Sequence, residues 1–221
     1  HASFMASVDR YTLSEGTHEY VISNYFEPAG YTAEKLYQAT YDATTEDVRM
    51  ALNAGRSQLV YSGHGNEVSW ADGPPFAQSD VRASVNDVYP VVFSFACLTG
   101  TYTRMECFGE TWLRTGHGGL AFWGASAYSY WDEDDVLERR VFEGMFTAGQ
   151  DWTGATMAYG KKGLLAYYGD TGTVQRYFEM YNLMGCPAVD IYTEPASEFA
   201  VEHPEAVASR IPVFTLSNVP R

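Results

Sequence analysis

The chain is poor in cysteine and in basic side chains, and it holds no long apolar run. Three cysteines in 221 residues, Cys97, Cys107 and Cys186, do not make a disulfide scaffold. The odd count leaves at least one thiol free or paired outside the chain. No CxxC or CxxH pair suggests a zinc site. No stretch reaches the ~20 uninterrupted apolar residues of a membrane-spanning helix. Fourteen Lys and Arg stand against 28 Asp and Glu, a formal charge of −14. A polyanion is repelled by that field, so nucleic acid and anionic membrane surfaces drop out as partners. Basic peptides or proteins, and cations such as calcium, are what it attracts; the same charge also serves solubility alone. The GxSxG elbow, the P-loop and the dinucleotide fingerprint are absent as well. The sequence begins at His1, and "HASFMASV" lacks the basic flank and cleavage site of a signal peptide. A piece of a longer precursor, with other domains elsewhere, is the expectation.

Apolar residues make up 46% of the chain, enough for one substantial core. Aromatics reach 15%, seventeen of them Tyr, a composition that suits a secreted protein. Short, nearly continuous apolar runs read as strands covered on both faces: 3–8, 58–63, 90–97, 119–125 and 188–193. Amphipathic stretches at 17–30, 44–55, 108–116 and 134–146 read as helices. Thr44 and Asp47 form a capping box, and Gly30, Gly55 and Gly116 are candidate C-caps. The alternation of strand and helix predicts an α/β fold with a mostly parallel sheet, whose chemistry gathers beyond the carboxyl ends of the strands. One catalytic-type domain is expected over 1–195. Residues 196–221, rich in Pro, Glu and Ala, read as a tail or the start of a following β-rich domain.

Two strand ends stand out. "LVYSGHG" places His64 between two glycines, and "VVFSFAC" ends at Cys97, 33 positions later. If the two strands are parallel neighbours, an imidazole and a thiol emerge at one edge. The imidazole then serves as base or as cationic partner of a thiolate. The N–H groups of Gly65 and Cys97 would supply an oxyanion hole. Taken singly, each residue has a plainer reading: a buried small hydrophobe for the Cys, a satisfied polar group for the His.

"YSGHGNEVSW" (61–70), "FSFACLTG" (93–100) and "ECFGETWLR" (106–114), extended by "SAYSYW" (126–131) and "NLMGCPAVDIYT" (182–193), resemble the caspase-like cysteine peptidases, and within them the gingipain family, peptidase family C25. The resemblance covers residues 2–193. It implies a caspase-like three-layer α/β/α sandwich with a mostly parallel central sheet. It also implies a secreted or cell-surface cysteine endopeptidase that acts on proteins or peptides and requires no cofactor. By matching position, Cys97 is the nucleophile and His64 the general acid/base. Asp9 is the acid that orients the imidazole, where the family has Glu; an ordinary loop carboxylate is the alternative. Substrate-binding roles fall to Ser62, Glu15 and Trp131. A carboxylate at Glu15 would favour Arg or Lys at P1, unless it is simply a charge favoured near a helix N-terminus.

Two rival activities follow from the same residues. One is a sortase-like transpeptidase, in which an amine replaces water. The other is a non-catalytic protein-binding or adhesin module on the same fold. "WDEDD" (131–135) offers clustered oxygens for a structural calcium ion, or a solvated helix N-terminus. His117 precedes a strand and is expected at the edge opposite Cys97.

Overall fold

The structure, a computed structural model, describes residues 1–103 and 105–193; the expected tail at 196–221 lies outside them. In chain order come β1 (Ala2–Ala6), α1 (Tyr11–Val21), a π-helical turn (Ile22–Phe26) and β2 (Ala33–Tyr37), followed by α2 (Gln38–Tyr41), α3 (Thr45–Asn53) and β3 (Gln58–Ser62). A small hairpin array follows, with β4 (Gly65–Asn66), β5 (Ser69–Trp70) and β6 (Phe76–Ala77), and then α4 (Gln78–Arg82) and β7 (Val91–Phe95). The chain continues through α5 (Phe108–Arg114), β8 (Ala121–Ala125), α6 (Trp131–Phe146), α7 (Thr153–Tyr168), α8 (Gly172–Met180) and β9 (Tyr181–Met184). The main sheet has the order β2-β1-β3-β7-β8-β9, parallel except for the β8–β9 pair.

Continuous apolar strands appear because both sheet faces are covered. On one face Phe4, Val60, Phe93 and Trp123 lie in register across four strands and meet α1, α6, α7 and α8. On the other, Met5, Leu59, Tyr61, Val92 and Phe122 pack on α3, α4 and α5. The fold is the expected three-layer α/β/α sandwich.

Several expectations need correction. Residues 188–193 are not a strand; among them only Asp190 makes an isolated bridge, to Trp152. The last strand among the described residues is β9, four residues long and antiparallel. Strand β2 escapes sequence reading because its first three residues are half-exposed at a sheet edge, so no continuous apolar run marks it. Helix α7 carries Gly154, Gly160 and Gly163, which lower helix propensity. Gly160 and Gly163 are needed where α6 packs: an added Cβ would fall 2.4 Å from Val141 Cγ2 and 2.6 Å from Arg140 Cγ. The first helix starts at Tyr11 instead of residue 17. The Thr44–Asp47 capping box is present. Gly30 and Gly55 adopt positive φ as expected of C-caps, whereas α5 ends on an extended Thr115 and Gly116 has no such role.

A buried ionisable pair locks α1, α6 and β1 together. His18 Nε2–H donates to the Met5 carbonyl (2.9 Å), and Nδ1 lies 2.7 Å from Glu138 Oε1. A carbonyl can only accept, so Nε2 carries a proton and Nδ1 shares the next one with the carboxyl. Burial opposes the charge on His18, yet Glu138 raises its pKa; burial likewise raises that of Glu138. His18→Ala should strand Glu138 and cost roughly 3–5 kcal/mol of folding free energy. Breaking the more exposed Arg114–Glu106 pair (3.8 Å) should cost under about 1 kcal/mol. Urea unfolding of the two variants checks the difference.

Candidate active site

The rim of the sheet above β3 and β7 holds the site. Ser62 pairs with Phe95 in the parallel ladder, and the Gly63 N–H donates to the Phe95 carbonyl (3.1 Å). His64 and Cys97 therefore leave adjacent strands at the same level. The segment 129–131 touches both. The Ser129 N–H donates to Cys97 Sγ (3.3 Å), and the Trp131 ring meets the His64 ring edge-on at 5.2 Å. Cys97 is half-buried and unpaired, as are buried Cys107 and exposed Cys186.

His64 Nε2–H donates to Asp9 Oδ2 (3.0 Å), the tautomer that leaves Nδ1 as a base. Asp9 is held by its own loop. The Asp9 N–H donates to Ser7 Oγ (3.1 Å), and Ser7 Oγ–H donates to Asp72 Oδ2 (2.6 Å), which also accepts from the Val8 N–H (3.2 Å). The buried Tyr61 hydroxyl lies 2.7 Å from the His64 carbonyl and 3.0 Å from Asp72 Oδ1, tying the loops after β1 and β3 together. Sequence reasoning missed Ser7, Tyr61 and Asp72; the Asp72-Gly73-Pro74 turn signal was the available clue.

Gly65 sits where a Cβ would fall 2.7 Å from the Cys97 carbonyl oxygen, so only glycine lets the two backbones meet. It pairs with Trp70 in the β4–β5 ladder, and the Ala71 N–H donates to the His64 carbonyl (2.9 Å). Bonds that bracket a residue pair in this way belong to the non-hydrogen-bonded kind, so the Gly65 N–H turns away from β5. Among the described residues no backbone carbonyl accepts from the Cys97 N–H. Among the described residues neither N–H group is thus tied to a backbone acceptor by the β4–β5 register or the loop hydrogen bonds.

Two substrate-binding expectations fare differently. Ser62 is buried at the end of β3, where its carbonyl accepts from the Ser7 N–H (2.9 Å). Glu15 turns toward α2, where Thr40 Oγ1–H donates to its Oε2 (2.5 Å), and it does not line the cavity beside Trp131. A cavity of about 390 Å³ does open beside Trp131, lined by Arg10, Ser129, Tyr130, Asp132, Glu133 and Thr173. Arg10 Nη2 and Asp132 Oδ1 approach to 3.9 Å across it.

The acids of "WDEDD" diverge. Asp132 faces Arg10, Asp135 pairs with Arg139 (2.8 Å) and bonds Thr17, and Asp134 turns inward. Among the described residues no three His, Cys, Asp or Glu side chains converge to hold a metal ion. Calcium at this helix end would have to displace the partners these carboxylates already have. His117 bonds the Asn86 carbonyl through Nδ1 (2.9 Å), before β8 and therefore at the far edge of the sheet.

The α/β/α sandwich thus brings the Cys97 thiol and the His64 imidazole to one strand-end rim. The sequence model of Peptidase family C25 matches residues 2–192, and the chain belongs to that family. Lys-gingipain of Porphyromonas gingivalis is 28% identical over 235 residues, covering 89% of this chain and 13% of the relative. Gingipain R2 of the same organism is 25% identical over 218 residues, covering 92% of this chain and 29% of the relative. The chain thus spans a minor part of the curated relatives it matches. Among solved structures, the Arg-specific cysteine proteinase gingipain R superposes with a TM-score of 0.77 at 22% identity, over 93% of this chain and 50% of that one. A complex of the pro- and mature domains of Porphyromonas gingivalis RgpB gives 0.76 at 20% identity, over 93% and 51%. At those identities the structures speak for the fold.

Burial pushes the Asp134 carboxyl up to about 7, against the opposing pull of hydrogen bonds from Ser129, Tyr181 and Tyr177. A carboxyl raised on folding binds more protons in the folded state than in the unfolded one. Its contribution to stability is present below the unfolded value of 3.8 and is lost as pH rises through about 7. Asp134→Asn should flatten that part of the stability–pH curve, read from urea midpoints at a series of pH values.

Proposed function

We propose that this chain is the catalytic portion of a cysteine endopeptidase, secreted or on the cell surface, that cleaves proteins or peptides after basic residues. The observation that carries the reading is the β3–β7 register, which sets Cys97 and His64 on one rim under a segment that touches both. His64 Nδ1 takes the Cys97 proton, and the sulfur attacks the scissile carbonyl carbon to form a C–S bond. The oxyanion accepts from the Gly65 and Cys97 N–H groups. Imidazolium then protonates the amide nitrogen, the C–N bond breaks, and the amine leaves. Water, deprotonated by His64, attacks the thioester and releases the acid and the thiol. Asp9 holds the ring in the tautomer this sequence needs. No step calls for a metal or a cofactor. Given the share of the relatives that it spans, the chain works alongside other parts of a longer polypeptide.

Cys97→Ala should abolish hydrolysis of short fluorogenic peptides carrying Arg or Lys, with the fold retained by circular dichroism. Turnover at the parent rate would reject the assignment. An added amine nucleophile followed by product analysis separates hydrolysis from transpeptidation.

The preference for basic P1 residues draws on the names of the relatives and on the cavity beside Trp131. The carboxylates that such a side chain would meet there are Asp132 and Glu133, in place of Glu15. A charge-assisted contact contributes roughly 1.5–3 kcal/mol. The pair Asp132→Asn and Glu133→Gln should therefore lower kcat/KM for Arg and Lys at P1 by roughly tenfold or more. Neutral P1 residues should change little. A P1-scanned peptide library measures both.

A further inference from the structure

Behind Cys97 lies a second polar chain that the mechanism above does not use. Ser129 approaches Sγ with its N–H (3.3 Å) and its hydroxyl (3.8 Å). The Ser129 hydroxyl donates to Asp134 Oδ2 (2.6 Å), while the Tyr177 and Tyr181 hydroxyls donate to Asp134 Oδ1 (2.9 and 2.6 Å). Asp134 is 6% exposed and both tyrosines are fully buried. Tyr177 also accepts from the Tyr130 N–H (2.8 Å) and has the Tyr130 carbonyl (3.0 Å) as a second acceptor for its one proton, contacts that fix the backbone between Ser129 and Trp131. An acid enclosed by two phenols and one serine, two hydrogen bonds from a thiol, exceeds what packing a helix end requires.

We propose that Asp134 is a positioning residue for the Cys97 sulfur and acts through Ser129: its protonation state decides where the Ser129 hydroxyl points its proton. With Asp134 ionised, Ser129 donates to the carboxylate, and Sγ keeps only the backbone donor. With Asp134 protonated on Oδ2, the carboxyl donates to Ser129 Oγ, and the serine proton turns to the sulfur. A thiolate then gains a second donor and loses a neighbouring negative charge. Oδ1 accepts from the two tyrosines in either state, so the switch needs no side-chain movement beyond hydroxyl rotation. Burial places the carboxyl where both states are reached near neutral pH.

The groups facing Asp134 are few. Tyr177 comes from α8 and Tyr181 from β9, and neither ionises near neutral pH, since burial raises both phenols. Glu133 is next to it on α6 and adds to the upward push on Asp134. From the loop after β1, Arg10 approaches Asp132 (3.9 Å) and lines the cavity that Glu133 also borders. Cys97 lies beyond Ser129, with His64 across the rim against Trp131. The reactivity of Cys97 should therefore follow the thiol–imidazole pair plus one further step that belongs to Asp134.

This inference rests on the proposed nucleophile, and the test separates the two. The described chain is alkylated with iodoacetamide across a pH series, and each cysteine is followed by peptide mass spectrometry, with exposed Cys186 as internal reference. The parent should show Cys97 reacting faster than Cys186, with the additional step. Asp134→Asn, whose amide can donate to Ser129 Oγ permanently, should remove the step and raise Cys97 alkylation near pH ~8 by roughly threefold to tenfold. Ser129→Ala keeps the N–H donor but breaks the hydroxyl link, and should remove the step without the gain. A purely structural role would lower stability in both variants and leave the shape of the profile alone. Unchanged profiles in both variants, with Cys97 still faster than Cys186, would overturn the relay only. Cys97 no faster than Cys186 at any pH in the parent would overturn the nucleophile itself.

Discussion

Strands β3 and β7 run parallel with Ser62 opposite Phe95, and every contact at the rim depends on that register. Because successive side chains point to opposite faces, a slip by one residue would exchange the two cores. Val92 would have to fill the place of Phe93, in the row that runs Phe4, Val60, Phe93, Trp123. Two buried faces thus fix the pairing twice over, once from each side. The loops then begin from fixed points. Gly63 has no room for a Cβ, which would fall 2.6 Å from the Tyr61 hydroxyl and 2.8 Å from Ser7 Cβ. The exit of β3 can follow only one path past β1, and His64 is delivered to Asp9.

Beyond the strand ends the backbone departs from easy conformations at the residues that follow the chemistry. Leu98, directly after Cys97, has φ 62, and Arg10, directly after Asp9, has φ 50. A non-glycine residue in the left-handed region costs on the order of 1 kcal/mol. Backbone hydrogen bonds hold both turns, the first to the end of β8 and the second within itself. The Leu98 N–H donates to Ala127 (3.1 Å), the Gly100 N–H to Ala125 (2.8 Å), and the Leu13 N–H to Arg10 (2.8 Å). Each reversal turns the chain sharply enough to leave the preceding side chain at the rim.

How much of this was legible in the sequence follows from what each feature depends on. The central strands could be read because burial on both faces leaves an unbroken apolar run. Strand β2, half-exposed at the edge, leaves no such trace, and β9 is short and opens on Tyr181-Asn182. His64 and Cys97 were legible because each follows an apolar strand, His64 between two glycines and Cys97 directly after Ala96. Asp9 was legible only through the resemblance. Ser129, Asp134 and Asp72 were not, since their roles are set by residues 32 to 65 positions away in sequence. Glu15 shows the converse: a carboxylate at a matching position in the chain bonds Thr40 and is not among the residues lining the cavity beside Trp131.

Helix α6 shows why the acidic stretch misleads when read as a surface. Trp131, Asp134, Glu138, Val141 and Met145 recur at intervals of three and four along one stripe, which is buried from Asp134 onward. Two of the five are acids, which a hydrophobic periodicity search passes over. Each is costly to bury, and each is met by donors from another element: Glu138 by His18 of α1, Asp134 by the phenols of α8 and β9. Those donors fix the rotation of α6 about its axis more narrowly than apolar packing would, because a small turn leaves a carboxyl without its partner. Trp131 stands one turn before Asp134 on the same stripe, so that rotation also sets where its ring meets His64. The buried acids and the rim are in this way one construction, with α6 as the element that joins them.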